Sequence, residues 1–200
     1  MIKITLILIF TFSIGLSFGQ TTDTVKVTFD SYEELRDKQY KAEIETLTYV
    51  DSTFNFQITV PNWLYLRETG SVYIWGGTLP AVEGIENAIA IKSFDKEGCE
   101  SLSDFKKYVV DDLVVGQSPP WSNSHIFMGR KNLEKHRNIG EAYKVYWIRG
   151  KLMYHCEYVL LETTTAYLWI DFTATPETFD KNIDKFDEFM NGFKVTNFKQ

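Results

Sequence analysis

Cysteine and histidine are scarce in this chain of 200 residues, which has two of the former and three of the latter. A chain of this length buries roughly 70% of its unfolded surface, so its core needs neither disulfides nor metal ions. His125, His136 and His155 have no partner at metal-ligand spacing. His155 and Glu157 would share a strand face, but a metal site there lacks a third ligand. We therefore expect no bound metal and interpret His155 as a paired surface histidine.

Catalytic motifs are missing as well. The sequence contains no Gly-x-Ser-x-Gly elbow, no His-Glu-x-x-His pair, no phosphate-binding loop and no Cys-x-x-Cys. Each of these places a nucleophile, a metal or a phosphate in a geometry that its chemistry requires. We therefore expect that the protein is not an enzyme, with no catalytic residues and no cofactor.

Positive charge is in deficit. The 21 Lys and Arg residues stand against 27 Asp and Glu, which gives a net charge of −6. An acidic chain with scattered basic residues disfavours nucleic acid and anionic membranes as partners.

The N-terminus carries the one long apolar run. A short basic start at Lys3 precedes a mostly apolar stretch to Leu16, and small residues follow up to Gly19. This pattern is typical of a cleaved secretory signal and is too short for a stable membrane span. We predict a signal peptide over residues 1–19, a cut near Gly19-Gln20, and a secreted or periplasmic protein that does not span the membrane.

The two cysteines, Cys99 and Cys156, would then reach an oxidising compartment. A disulfide between them is permitted there. Two separate buried thiols are an equal alternative, since the sequence cannot supply the Cα separation that a bridge requires.

The rest of the chain divides into a charged arm over residues 20–49 and a single domain over residues 50–200. A capping box at Ser31 and Glu34 permits a short helix over about residues 32–41. Residues 54–60, FNFQITV, alternate with period two and predict the first core strand, which Pro61 ends. Further short strands are expected over residues 64–67, 71–75 and 88–93, with Gly76-Gly77 breaking the second.

Two helices are predicted from apolar spacing. The first covers residues 101–114, with an apolar stripe from Leu102 to Leu113 and Gly116 at its C-terminal cap. The second follows Thr175-Pro176-Glu177, which supply a cap, a proline at the first helical position and a charge suited to the positive helix end.

A meander over residues 141–173 is the most informative region. Gly150-Lys151 suits a tight hairpin that pairs Val145 with Cys156 and Lys144 with Glu157, and the second of these pairs would be an ion pair. A second turn at Thr163-Thr164 would pair Tyr158 with Trp169. One sheet face would then be aliphatic and the other aromatic, and both would need cover. We predict an α+β fold, with an antiparallel sheet of about six strands and helices packed on its faces.

This arrangement resembles the PsbP-like (Mog1/PsbP) fold family. The resemblance covers about residues 50–195 and rests on the strand ending in Val60-Pro61-x-Trp63, the helix over 101–114, the meander, and the helix after Thr175-Pro176-Glu177. It implies a small exported protein without catalysis, comparable to photosystem accessory subunits, envelope proteins, secretion chaperones or periplasmic immunity proteins. The family has no shared catalytic set, so it implies no functional residues.

Loop aromatics and acids remain as candidate contacts. Trp75 precedes Gly76-Gly77, Trp121 follows two prolines, and Glu83 and Glu86 lie in one loop. Loops vary while the scaffold holds, and tryptophan is a favoured interface anchor. We expect an accessory protein that recognises another protein of the cell envelope. A carrier of a small apolar ligand, held in a pocket lined by the aromatic face, is the alternative, and a hydrolase with an unrecognised site is the weakest.

Overall fold

Strands dominate the part of the chain described in a computed structural model, which covers residues 26–29, 46–67, 71 and 73–197. The predicted signal peptide, the helix predicted over residues 32–41 and most of the arm lie outside these residues. The described strands are β1 (Lys26–Phe29), β2 (Thr46–Asp51), β3 (Phe56–Val60), β4 (Tyr65–Leu66), β5 (Ile74–Thr78), β6 (Ala88–Asp95), β7 (His125–Leu133), β8 (Glu141–Arg149), β9 (Leu152–Glu162), β10 (Ala166–Ala174) and β11 (Phe193–Val195). The described α-helices are α1 (Leu102–Lys106) and α2 (Pro176–Gly192). Within the same residues, no helix is long and apolar enough to cross a membrane.

Seven of the described strands form the larger sheet, in the order β4-β5-β6-β10-β9-β8-β7, and every neighbouring pair is antiparallel. The predicted α+β class with an antiparallel sheet is therefore confirmed. Strand β7 is an addition to the predicted elements. It was not recognised because Phe127 is its single buried side chain, so the strand shows no apolar alternation.

A smaller sheet contains β1, β2, β3 and β11 in that order. The strand predicted over residues 54–60 is present as the shorter β3, which begins at Phe56 after a turn at Asn55 and buries Phe56, Ile58 and Val60. Its partner β2 begins at Thr46, ahead of the predicted domain start at residue 50. The predicted boundary thus falls inside a strand, because residues assigned to the arm complete this sheet.

Strand pairing in the meander follows the predicted hairpin. Val145 lies opposite Cys156 and Arg149 opposite Leu152, as the turn at Gly150 requires. The next pairing is shifted by two residues, so that Trp169 lies opposite Leu160 rather than Tyr158. A shift of two preserves the side-chain alternation, and the predicted faces remain correct.

The glycines of β5 do not break the strand, contrary to our expectation. They allow close contact instead, since a Cβ at Gly76 would lie 2.7 Å from the Ile89 carbonyl oxygen. A Cβ at Gly77 would lie 2.7 Å from the Tyr65 carbonyl oxygen. Glycine at these two positions lets the neighbouring strands approach.

The two faces of the larger sheet carry separate hydrophobic clusters. The aliphatic face, with Val159, Leu168, Ile170 and Phe172, packs against the smaller sheet and α2. The aromatic face packs against α1 and the residues that follow it. Its buried members from the sheet are Phe127, Tyr143, Val145, Trp147, Cys156, Tyr158, Leu160, Tyr167 and Trp169.

Helix α1 is shorter than predicted. Ser101 caps it by accepting a hydrogen bond from the Asp104 amide, and a π-helical turn over Lys107–Asp111 follows. The helical segment therefore ends three residues before the predicted 114. Gly116 is not its cap, because the Gly116 amide donates to the Phe127 carbonyl oxygen of β7. The predicted start of α2 at Thr175 and Pro176 is confirmed, but the Thr175 side chain makes no capping hydrogen bond.

Candidate functional site

Trp75, the first predicted contact residue, lies in the core. It is 4% exposed, and its ring stacks between those of Tyr49 and Phe189 at centroid distances of 6.1 and 5.7 Å. The indole therefore joins the smaller sheet, the larger sheet and α2. It stabilises the scaffold and cannot reach a partner from this position.

Trp121 covers the aromatic face. Its ring makes edge contacts with Trp147 and Trp169 at centroid distances of 5.1 and 5.0 Å. Such contacts contribute about 0.5–1.5 kcal/mol beyond the area they bury. Trp121 is half-buried, and its main contacts are with the sheet beneath it.

Glu83 and Glu86 are exposed, as predicted for loop carboxylates, but each is paired. Glu83 forms an ion pair with Lys181 of α2, and Glu86 lies 3.0 Å from the Arg67 guanidinium. The loop is thereby tied to the scaffold. Exposed pairs of this kind contribute about 0–1 kcal/mol.

Both cysteines are free thiols in this structure. Cys156 is buried on the aromatic face, and burial raises the pKa of its thiol to about 12. Cys99 is half-buried, and burial, together with the nearby Asp104 carboxylate, raises the pKa of its thiol.

The aromatic face is filled by protein. Phe105 of α1 stacks on Tyr167 at 5.3 Å, and the Trp147 indole donates a 2.8 Å hydrogen bond to the Tyr158 hydroxyl. Burial raises the pKa of Tyr158 well above its ordinary value. Among the described residues, the side chains of this face pack against one another.

A groove of about 600 Å³ lies elsewhere, where β8 begins and β9 ends. Tyr143 is the one aromatic residue among its lining residues. Lys106 and Tyr143 each donate a hydrogen bond to the Glu141 carboxylate. These two bonds, the one from Lys106 having the larger effect, hold the pKa of that carboxyl below its usual range. The lining residues are Leu102, Asn132, Leu133, Arg137, Ile139, Gly140, Glu141, Ala142, Tyr143, Leu160, Leu161 and Glu162.

The predicted Lys144–Glu157 ion pair is replaced by other contacts. The two residues lie directly opposite each other in β8 and β9. However, the Lys144 ammonium lies 3.9 Å from the centre of the Phe179 ring of α2. Glu157 is 2% exposed, and its Oε1 atom lies 3.3 Å from His136 Nε2. The helix thus draws the lysine away from its cross-strand carboxylate.

Three side chains converge beside α2 in what we call the His–Glu–Asp cluster, formed by His136, Glu157 and Asp187. The His136 Nε2 atom lies 3.3 Å from Glu157 Oε1 and 3.3 Å from Asp187 Oδ1. His136 has a φ of 58°, a left-handed conformation that costs a non-glycine residue on the order of 1 kcal/mol. Its ring packs edge-on against Phe186 at 5.9 Å.

Sequence spacing gave no signal for this cluster. Its members come from the loop between β7 and β8, from β9, and from α2, 21 and 30 residues apart along the chain. From the sequence, Glu157 was expected to share a strand face with His155. His155 instead contacts Tyr146 at 5.0 Å and Phe179 at 5.7 Å.

An apolar row crosses the terminal strand of the larger sheet. Ile126 of β7, Ile148 of β8 and Met153 of β9 are direct cross-strand neighbours. Ile126 and Met153 are 40% and 42% exposed, and Met128, at a bulge in β7, is 39% exposed. Lys131 follows along the same strand and is exposed. We call Ile126, Met128, Lys131, Ile148 and Met153 the edge surface.

Strand β7 ends the larger sheet on this side. Its outer edge is paired at Phe127, where residues 116 and 117 make two backbone hydrogen bonds of 2.8 and 2.9 Å. Beyond Phe127, no other described strand pairs with that edge. The remainder of β7 therefore offers backbone donors and acceptors to a further strand.

The charge around this edge differs from that of the whole chain. Residues 125–155 contain seven Lys or Arg and two Glu, a net charge of +5, whereas the whole chain has −6. Arg130 pairs with Asp111 at 2.7 Å. Lys131, Arg149 and Lys151 are exposed and form no ion pair with a described residue. This part of the surface is therefore locally basic.

Comparison with known proteins gave matches among solved structures alone: no family model and no curated protein matches the sequence. One match is cyanobacterial PsbP (CyanoP) from Synechocystis sp. PCC 6803, with 12% identity, a TM-score of 0.46, and coverage of 74% of this chain and 91% of that chain. Another is PA94, a Pseudomonas aeruginosa protein of unknown function, with 15% identity, a TM-score of 0.44, and coverage of 72% and 92%. A third is LpqN, involved in cell envelope biogenesis of Mycobacterium tuberculosis, with 12% identity, a TM-score of 0.43, and coverage of 85% and 99%. A PsbP-family protein is thus among the structures that resemble this chain, and at these identities the likeness concerns the fold alone.

Proposed function

We propose that this protein is an exported, non-catalytic binding protein that recognises an extended, acidic segment of another envelope protein along β7. The open edge of that nine-residue strand carries the proposal. Export rests on the N-terminal pattern of residues 1–19 in the sequence.

Backbone pairing supplies the affinity in this type of recognition. An extended segment that adds to a sheet edge forms main-chain hydrogen bonds, and its alternate side chains contact the surface beside the edge. In this protein those side chains would meet Ile126, Met128 and Ile148. Apolar residues at alternate positions of the bound segment therefore fit the edge surface.

The positive charge near the edge surface favours a negatively charged partner. Lys131 lies on the edge surface, and Arg149 and Lys151 lie near it without an ion pair among the described residues. Opposite charges speed encounter and suppress wrong partners more than they raise affinity. We therefore assign an acidic character to the polar positions of the bound segment.

The same features also have a purely protective explanation. Bulges and lysines on edge strands prevent two copies of a protein from pairing edge to edge. Both Lys131 and the bulge between Phe127 and Gly129 fit that role. The exposed apolar row is not required for protection, and it favours the binding role.

The test uses labelled peptides of about ten residues, long enough to span the open part of the β7 edge, residues 128–133. One peptide alternates valine with glutamate, a second alternates valine with lysine, and a third carries proline at alternate positions, so that it lacks the donors for pairing. Fluorescence anisotropy measures binding to the purified protein. We expect binding of the first peptide, at least ~10-fold weaker binding of the second, and no binding of the third.

Matched variants locate the binding surface. Ile126→Glu and Lys131→Glu should each weaken binding of the acidic peptide by ~10-fold or more. Their controls, Val195→Glu and Lys194→Glu, make the same changes at exposed positions of β11 in the smaller sheet and should leave binding unchanged. Equal losses in both pairs, or equal binding of the proline peptide, would contradict recognition at β7.

The groove at the start of β8 supports a second candidate, a small-ligand carrier. Its volume of about 600 Å³ lies within the range of roughly 300–1,000 Å³ for ligand sites, and Leu133, Ile139 and Leu160 provide apolar walls. Ile139→Trp should fill the groove. Loss of binding of an apolar fluorescent dye in that variant, with wild-type peptide binding, would favour the carrier; dye binding that persists unchanged would exclude the groove.

A further inference from the structure

The His–Glu–Asp cluster holds polar atoms that the protein itself leaves incomplete. Neither His136 Nε2 nor Glu157 Oε1 has a hydrogen-bond partner among the described residues, although they lie 3.3 Å apart. The side chains of His136 and Glu157 are 10% and 3% exposed. Buried polar atoms without partners are costly, and each one in a native structure calls for an explanation.

The separations match those between ligands of one metal ion. In a tetrahedral zinc site with bonds of about 2.0–2.1 Å, neighbouring ligand atoms lie about 3.3–3.4 Å apart. Both His136 Nε2 distances, to Glu157 Oε1 and to Asp187 Oδ1, are 3.3 Å. The three ligand atoms all lie within 4.8 Å of one another. The Asp187 side chain is 31% exposed, so its carboxylate has room to turn toward an ion.

We propose that His136, Glu157 and Asp187 bind one divalent transition-metal ion, with Zn²⁺ as the reference ion. This site goes beyond the proposed binding function and does not depend on it. An imidazole nitrogen with two carboxylate oxygens is a donor set suited to zinc and related ions. Calcium takes six to eight oxygens, and this cluster offers too few. Water would complete the coordination on the exposed side, beside Asp187.

Charge balance supports the assignment. Two carboxylates neutralise a divalent ion, and imidazole binds in its neutral form. Lys135 is the competitor, because its ammonium lies 2.8 and 3.1 Å from the two Asp187 oxygens. The Lys135 side chain is 45% exposed and can turn to solvent when a metal ion takes Asp187.

Metal binding would join three elements. His136 lies in the loop before β8, Glu157 in β9 and Asp187 in α2, so one ion would link the loop, the sheet and the helix. An ion that binds the folded form and not the unfolded chain stabilises the fold by mass action. A bound ion would also hold the loop that follows β7.

Isothermal titration calorimetry with Zn²⁺ tests the proposal. It uses the purified protein, with its affinity tag removed and earlier metal stripped by a chelator that is then dialysed away. We expect one zinc ion per chain and a melting temperature that rises with zinc concentration. Asp187→Asn and Glu157→Gln should each weaken zinc binding by at least ~10–100-fold, since even residues outside the ligand set cost this much in metal sites.

Two further variants are expected to strengthen zinc binding or to leave it unchanged. Lys135→Met removes the competing cation and should tighten zinc binding. Asp184→Asn is the matched control, because it removes the same charge from the same helix one turn away from Asp187, and it should change the affinity by less than ~3-fold. Asp187→Asn acts at the exposed side of the cluster, so the test remains valid if Glu157→Gln fails to fold.

Other zinc ligands must be separated from the cluster. Cys99→Ser and His155→Gln should retain wild-type stoichiometry and affinity, and Co²⁺ bound to the wild type should show no thiolate absorption. The proposal is overturned if no zinc binds at millimolar concentration, if Asp187→Asn binds as tightly as the wild type, or if Cys99→Ser abolishes binding.

Discussion

Two carboxylates are buried in the larger sheet, one on each face, and they differ in how fully the protein pairs them. Asp171, on the aromatic face, forms an ion pair with Lys92 and accepts a 3.3 Å hydrogen bond from Thr173. The Lys92 ammonium also lies 3.8 Å from the centre of the Trp169 ring. Glu157 lies on the aliphatic face, and its Oε1 atom has no hydrogen-bond partner among the described residues. The Nε2 atom of the neighbouring His136 also lacks one.

The unequal pairing of Asp171 and Glu157 indicates a different role for each carboxylate. A charge removed from water must be matched by opposite charge and by hydrogen bonds, or it costs several kcal/mol. Asp171 meets this condition with protein groups alone, so we assign it a structural role. Glu157 does not, which is why we assign it to ligand binding. Four measurements on the two faces of the sheet test this assignment.

Thiol labelling tests how tightly the aromatic face is covered. Burial raises the pKa of Cys156 to about 12, so its thiolate population at neutral pH is on the order of 1,000-fold lower than that of an ordinary cysteine. Iodoacetamide followed by mass spectrometry should modify Cys99 first, and Cys156 after unfolding. The Cys99→Ser variant provides the control with a single thiol. Rapid native labelling of Cys156 would mean that α1 and Trp121 open readily.

Removal of the Lys92 charge should break the complete pair. Lys92→Met leaves Asp171 buried without its cation, and we expect a loss of about 3 kcal/mol in the free energy of unfolding, measured with urea. The control, Lys96→Met, removes a lysine that pairs with Glu162 at 2.5 Å nearer the surface and should cost about 0–1 kcal/mol. Equal losses would show that burial of Asp171 does not matter.

Neutralisation of the two carboxylates compares them directly. Asp171→Asn should cost about 2 kcal/mol, because it removes a charge-assisted bond. Glu157→Gln should cost less than about 1 kcal/mol in the presence of a chelator, because it loses no hydrogen bond at Oε1 and removes a buried charge. Urea unfolding with unchanged m-values checks both. If Glu157→Gln lowers the free energy of unfolding as much as Asp171→Asn does, the His–Glu–Asp cluster is an ion-pair network that is complete without a ligand.

The smallest effect is a pH dependence, since each face also carries one histidine. Burial lowers the pKa of His125 and of His155, and nearby Arg149 and Lys144, respectively, act in the same direction. Asp180 and Glu177 oppose the shift at His155. The unfolded chain therefore binds more protons than the folded protein just below pH 6.5, and stability falls as the pH drops through that range.

Variants separate the two histidines. Urea midpoints at pH 7 and pH 5 should differ for the wild type, and His125→Asn should reduce that difference more than His155→Asn. An unchanged difference in His125→Asn would place the titrating group elsewhere.

Much of this fold could be predicted because it follows local rules. The alternation in residues 143–161 and the turn at Gly150 specify a hairpin, and the two faces remain correct even where β10 is shifted by two residues. Thr175 and Pro176 mark the start of α2 by the same local logic. These signals lie within a few residues of the structure that they determine.

What the sequence did not predict depends on distant contacts. Trp75 precedes two glycines and was therefore predicted to be a contact residue in a loop, but the rings of Tyr49 and Phe189 enclose it. The neighbours of Glu157 come from a loop and a helix, and Phe179 attracts the lysine expected to pair with it. Strand β7 lacks alternation because one of its faces is largely open, and that is also why it is a candidate surface.

The position of β10 and β11 along the chain has a consequence for the timing of folding. Strand β10 lies between β6 and β9 in the larger sheet, and β11 completes the smaller one against β3. Neither sheet can close until residues beyond 165 have been synthesised, because pairing over such distances must wait for its partner strand. A nascent chain of this sequence therefore remains without its core during most of its synthesis, a state suited to transport before folding.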